Sequence, residues 1–267
     1  MKKLLHPALL VLLGGALLRI TVGSEVYLRY VKEGLRPMVI VTGAVLVLLG
    51  AVGLVREGRA WLRQPVLNHR RAADGSYRVE PHALHAHSPD DDGHGHGPGA
   101  GPRVAFLLGA PALALLFFAP PALGSYTASR DGAAVVVEQA DYRTLRGREL
   151  TPLSMREFIG RSMHDATGLA GRQVVLTGFV SRGGGGADWH LNRLTVNCCA
   201  ADARPLRVAV HASGDAPAAD SWVQVTGRLR AGAVDARSPV PHLEVLSVTA
   251  VPAPKNPYAD RAPELGS

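Results

Sequence analysis

Two adjacent thiols and a carboxylate three residues further on, Cys198, Cys199 and Asp202, carry the sharpest chemistry in this 267-residue chain. They lie in the string Asn197-Cys198-Cys199-Ala200-Ala201-Asp202-Ala203. Successive residues of a strand point to opposite faces, so two strand cysteines would not meet on one ion. At a strand end that enters a turn they converge, and a helical turn carries Asp202 to the same side. Thiolates in such a group select zinc or copper(I). Two other outcomes stay open for the pair. One is a vicinal disulfide, strained by its small ring; the other is simple packing of two small residues at the end of a β structure. His164, His190 and His211 are available as distant ligands. The chain has no other cysteine, so no disulfide framework holds the fold.

A second group of donors lies upstream, in the segment PHALHAHSPDDDGHGHGPGAGP at residues 81–102. It brings His82, His85, His87, His94 and His96 around Asp90, Asp91 and Asp92. Glycine and proline dominate the remainder, which predicts a disordered loop without a packed core. Imidazoles two or three residues apart on a loose chain can share one Zn2+, Cu2+ or Ni2+ ion. With no surrounding framework to fix their orientation, the chemistry to expect is capture or buffering rather than catalysis; the alternative is a polar linker whose histidines chelate metal only adventitiously.

The elements that must position these groups differ sharply between the two halves of the chain. Three apolar runs occupy residues 4–23, 37–55 and 104–123, and the second has no charged residue. Each is near the ~20 residues an α-helix needs to span ~30 Å of hydrocarbon, and none shows a polar face at helical period. Three transmembrane helices are therefore expected. Lys2 and Lys3 resemble the start of a signal peptide, but Thr21-Val22-Gly23-Ser24 is a poor cleavage site, which favours a retained first helix. Lysine and arginine concentrate before helix one and in the run Arg56, Arg59, Arg63, Arg70 and Arg71 after helix two. By the positive-inside rule residues 24–36 and everything after 124 lie outside, and the histidine-rich loop lies in the cytoplasm. The net charge of +7 is thus explained at a membrane flank, and no nucleic-acid partner is expected.

Residues 125–267 read as a soluble domain. Residues 151–154, Thr-Pro-Leu-Ser, open an amphipathic helix through Ala166, with Met155, Phe158, Ile159 and Met163 on one face. The period then changes to two. Strands are expected at residues 173–180, 189–196, 206–211, 222–229 and 242–251, with bends at the glycines inside VVLTGFV and WVQVTGRL. Five short strands with glycine bends predict a small closed Greek-key barrel of the OB type. The expected organisation is a transmembrane region over 1–124 containing the disordered loop 72–102. A linker and amphipathic helix follow over 125–170, an OB-like β domain over 171–254, and a tail over 255–267. The fold class is a membrane helical anchor plus an α+β or all-β domain.

The string CCAADA, Pro205 shortly after it, the strand opening WVQVTG and the ending Pro252-Ala253-Pro254-Lys255-Asn256-Pro257-Tyr258 together resemble the YcgQ-like family of two-component permease subunits. That resemblance implies a larger polytopic permease as partner, similar to organoarsenical permeases, in a metal-related setting. Three helices are too few for a transporter built from repeats around a midplane site, which agrees with a subunit role. The function expected is a non-catalytic accessory subunit in the plasma membrane, linked to transition-metal handling with Zn2+ first. A membrane-tethered thiol-redox protein using Cys198 and Cys199 is one alternative. An extracytoplasmic OB-type ligand-binding module is the other. No GxSxG elbow and no nucleophile with a base announce a hydrolase.

Overall fold

The structure is a computed structural model that describes residues 2–62, 121–130, 137–145, 147, 150–184, 186–230 and 240–264. The chain divides into two compact units, one of residues 1–18 and 41–118, the other of residues 19–40 and 119–267. The expected third helix at 104–123 falls almost entirely outside the described residues, as does the histidine-rich loop. Among the described residues two helices are long and apolar enough to cross a membrane.

These are α1, Lys2–Val22, and α2, Arg36–Leu62, the second seven residues longer at its C-terminal end than its apolar run. Only 11 % of the apolar window of α2 is buried, where the core helix of a soluble protein would be mostly buried. Val41, Val45, Leu48, Leu49, Val52 and Val55 all face outward. In the first unit the two helices approach each other through glycine. A Cβ on Gly14 would stand 2.6 Å from the Gly43 carbonyl oxygen, and one on Gly50 would stand 2.6 Å from that of Pro7. Small residues at a helix crossing permit this backbone contact, the packing mode used where no hydrophobic effect drives helices together.

The second unit is built on a six-stranded mixed sheet. Its strands are β1 (Thr151–Pro152), β2 (Val174–Arg182), β3 (Trp189–Thr195), β4 (Arg204–His211), β5 (Trp222–Leu229) and β6 (His242–Ala250). All five strands expected from the period-two pattern are present, within two residues at each end. The order is β1-β2-β3-β4-β6-β5, and β5 pairs again with β2. Alternate residues of β2, β3, β4 and β6 turn Leu176, Leu191, Val208, Val210 and Leu243 into one core, together with Trp189. The bend expected at the strand glycines occurs once, as a register shift between Thr226 and Gly227. At Gly178 the pairing with β5 runs without a shift. There the glycine serves close approach, since a Cβ would meet the Asn192 carbonyl oxygen at 2.6 Å.

Thr151 and Pro152 do not open the helix. They form β1, parallel to β2, with the Thr151 and Leu153 N–H groups donating to Gln173 and Val175. The helix α4 begins at Met155 and ends at His164, and a single turn, α5 (Ala166–Leu169), follows it. Its N-cap is Ser154, whose hydroxyl accepts from the Glu157 N–H at 3.2 Å. This is the Ser-x-x-Glu start signal, three residues later than the threonine. The Asp260 carboxylate adds two caps from the far end of the chain, accepting from Met155 and Arg156 N–H at 2.9 and 2.7 Å. Met155, Phe158 and Ile159 enter the core, as their spacing predicts. A short helix α3 (Ser125–Arg130) packs on the other face of β2 and β3, with Ala128 buried against Phe179 and Leu194.

Candidate metal site

β3 and β4 pair along their whole lengths, from Trp189 opposite Val210 to Thr195 opposite Arg204. The loop that joins them holds both cysteines. Cys199 is extended, and a single 3-10 turn, Ala200–Asp202, follows it. The turn sends the Asp202 side chain back along the loop. Its carboxylate accepts from the Asn197 and Cys198 N–H groups, each at 2.8 Å. The ligand atoms of Cys198, Cys199 and Asp202 thereby lie within 4.8 Å of one another. The pair sits at a strand end entering a turn, the arrangement that lets neighbouring side chains converge.

The two Sγ atoms are 3.6 Å apart and both thiols are free. A disulfide needs about 2.05 Å. The Asp202 carboxylate and the neighbouring Cys199 thiol accept from and crowd the Cys198 thiol, which pushes its pKa up to about 11. The same contact, with the backbone N–H groups of the loop, holds the Asp202 carboxyl down to about 2. Hydrogen bonding rather than burial is the leading cause of both effects, and Cys198 is exposed. At neutral pH the Asp202 carboxylate is therefore charged beside a protonated Cys198 sulfur. A thiol poised for exchange needs the opposite shift, toward a thiolate at neutral pH. A metal ion replaces the proton on sulfur, and the backbone N–H groups already orient the carboxylate as outer partners orient a metal ligand. Cys198, Cys199 and Asp202 form a possible metal-binding group, three donors that leave positions open for further ligands.

The loop is also paired with the segment between α1 and α2. Val31 lies opposite Cys199 in an antiparallel bridge. Lys32 N–H donates to the Cys198 carbonyl at 3.1 Å, and Ala200 N–H to the Tyr30 carbonyl at 2.7 Å. Around this bridge the Tyr258 hydroxyl donates to the Arg29 carbonyl at 2.9 Å. Glu25 pairs with Lys255 at 3.3 Å and Glu33 with Arg261 at 3.5 Å. These ion pairs are exposed and contribute little; the backbone bonds and the buried Tyr258 fix the contact. Nothing in the spacing of residues 24–36 signals this role, because an isolated bridge has no periodicity of its own.

The distant ligands do not join the group. His164 Nε2 lies 3.2 Å from the Val137 carbonyl, and His190 and His211 stand in β3 and β4, outside the cysteine loop. His82, His85, His87, His94 and His96 lie outside the described residues. A separate cavity of about 690 Å3 has Phe179 and Trp222 among its walls, with Arg29 and Lys255 also lining it. The two rings meet edge to face at 5.7 Å, and the Arg193 guanidinium lies 5.1 Å from the Trp222 ring centre.

A capped helix, a mixed six-stranded sheet and a thiol–carboxylate loop on one hairpin define the class of domain. Residues 153–260 match the family model of the DUF1980 C-terminal domain, a span that holds β2 to β6 and the whole Cys198–Cys199–Asp202 group. Comparison with curated proteins finds no match, and comparison with solved structures finds none.

Proposed function

We propose that this chain is a non-catalytic, membrane-anchored accessory subunit of a two-component permease. In this reading its extracytoplasmic domain handles a transition metal, zinc first. The observation that carries it is the convergence of Cys198, Cys199 and Asp202 in a loop pinned to the segment joining two apolar helices. The β2–β5 pairing returns the strand order on itself, which supports an OB-type barrel as the carrier of that loop.

The topology reading gains support from the same contact. Residues 29–32 touch residues 198–200 and 258, a contact that supports a reading with the α1–α2 segment and the domain on one side of a membrane. In this reading the apolar run 104–123 has the length and composition for a third span. The raised Cys198 thiol weighs against the redox alternative. The cavity beside Phe179 and Trp222, with Arg29 and Lys255, favours a second reading in which the domain binds a polyanion.

Zinc titration of the purified protein tests the metal reading, with Cys198→Ser/Cys199→Ser and Asp202→Ala as controls. Micromolar binding that the controls lose supports it; equal binding by all forms removes the site. Co-purification of a polytopic membrane protein with the tagged chain tests the subunit role, and labelling of Cys198 by a membrane-impermeant maleimide on intact cells tests the side.

A further inference from the structure

On β3, β4 and β6 the residues that alternate with the core side chains form an outer face. His190 on β3 is opposite Ala209 on β4, and Ala209 is opposite His242 on β6. Paired residues share a face, and so do residues two apart along a strand. His190, Ala209, His211 and His242 therefore stand together, with Glu244 opposite His211 in the same register. Ala209 stands between His190 and His242 in this register. Three of the eleven histidines of the chain thus share one face of the sheet away from the cysteine loop; His211 and His242 are in contact, and the ligand atoms of all three do not lie within 4.8 Å of one another.

His211 Nε2 and His242 Nδ1 are 2.7 Å apart, and the rings stack with centroids 5.0 Å apart and planes at 19°. One nitrogen must donate and the other accept, so at least one ring is neutral and a lone pair points into the gap. His190 Nδ1 lies 3.0 Å from the Arg182 carbonyl. A carbonyl only accepts, so Nδ1 carries the hydrogen and Nε2 of the neutral ring keeps its lone pair. That bond is the kind of outer contact that fixes tautomer and ring direction in metal-ligating histidines.

We propose that His190, His211 and His242 form a second transition-metal site, for Zn2+ or a similar borderline ion, on the outer face of β3, β4 and β6. Glu244, opposite His211 in the strand register, is the nearest acidic residue on this face by pairing. Tetrahedral zinc at ~2.05 Å from two nitrogens separates them by about 3.3 Å, so the His211–His242 gap opens by roughly 0.6 Å to admit it. Burial first, and then the charges of His211, Arg230 and His190, lower the pKa of His242. Burial likewise lowers that of His190, with Arg207 adding to it.

This site does not depend on the cysteine group, and its test removes that group. The full-length protein is purified with Cys198→Ser, Cys199→Ser and alanine at His82, His85, His87, His94 and His96. Zn2+ alone is titrated against a chromophoric chelator, and Co2+ provides a spectrum. The expected result is one equivalent of zinc, and visible Co2+ bands without near-ultraviolet thiolate charge transfer. His242→Ala and His190→Gln each weaken binding at least tenfold, while the melting temperature of the metal-free protein stays unchanged. His190→Gln guards against misfolding, since the glutamine amide can still donate to the Arg182 carbonyl. A background protein that binds no zinc at micromolar concentration overturns the proposal, and so do variants whose affinity stays within twofold. Failure of the cysteine site would leave this measurement untouched.

Discussion

Removing the charge of Asp202 should make Cys198 react faster with electrophiles, although no residue that touches the electrophile is changed. The Asp202 carboxylate is the largest cause holding the Cys198 thiol up near 11 from an ordinary value of 9.0. In Asp202→Asn the amide oxygen still accepts a loop N–H, so the turn keeps a cap while the negative charge goes. If the pKa returns to about 9, the thiolate fraction at pH 8 rises from ~0.1 % to ~9 %, a gain of about 100-fold. A less basic thiolate is also a weaker nucleophile: with a slope of 0.4–0.5, two pKa units cost about eightfold. The net expectation is alkylation by iodoacetamide about tenfold faster at pH 8. The rate is followed by quenching at intervals and assigning the modified sulfur by peptide fragmentation, which separates Cys198 from Cys199. A rate within twofold of the original protein would refute the carboxylate's control of this thiol.

Asp202 should also set an acid limit for the loop. Its folded pKa is depressed to about 2, so its contribution is present above the ordinary value of 3.8 and is lost as pH falls toward 2. Hydrogen-exchange protection of the Asn197 and Cys198 amides, corrected for intrinsic rate, should hold at pH 5 and collapse below about pH 3. Ser154→Ala removes one helix cap and should lower unfolding stability by about 1 kcal/mol in chemical denaturation. Asp260→Ala should cost more, about 3 kcal/mol, because it removes two caps and leaves the buried Arg193 without the carboxylate 3.8 Å away. Equal losses in the two variants would assign Asp260 no role beyond capping. Gly50→Val should lower the detergent-resistant melting temperature by forcing α2 off the Pro7 backbone. Gly15→Val, where an added Cβ meets nothing within 4 Å, should not.

The amino-acid sequence by itself determined the two described apolar helices, because hydropathy over twenty residues is a local property. It also determined the five strands and the buried face of α4, because side-chain period is local too. The vicinal cysteines were legible as a candidate group for the same reason, their spacing being one residue. The start of α4 was not read correctly: Thr151 and Pro152 carry helix-start chemistry, but the free edge of β2 claims their backbone. Only tertiary structure decided that Cys198 and Cys199 converge with Asp202, since that depended on a 3-10 turn whose N–H groups fold a carboxylate backward. It alone placed Tyr30, Val31 and Lys32 against the thiols, more than 160 residues away, through backbone bonds that leave no side-chain pattern. It alone brought His211 to His242, because register between β4 and β6 is set by which residues enter a shared core. Local periodicity is written residue by residue, whereas the meeting of distant polar groups is fixed only once the core has chosen the register.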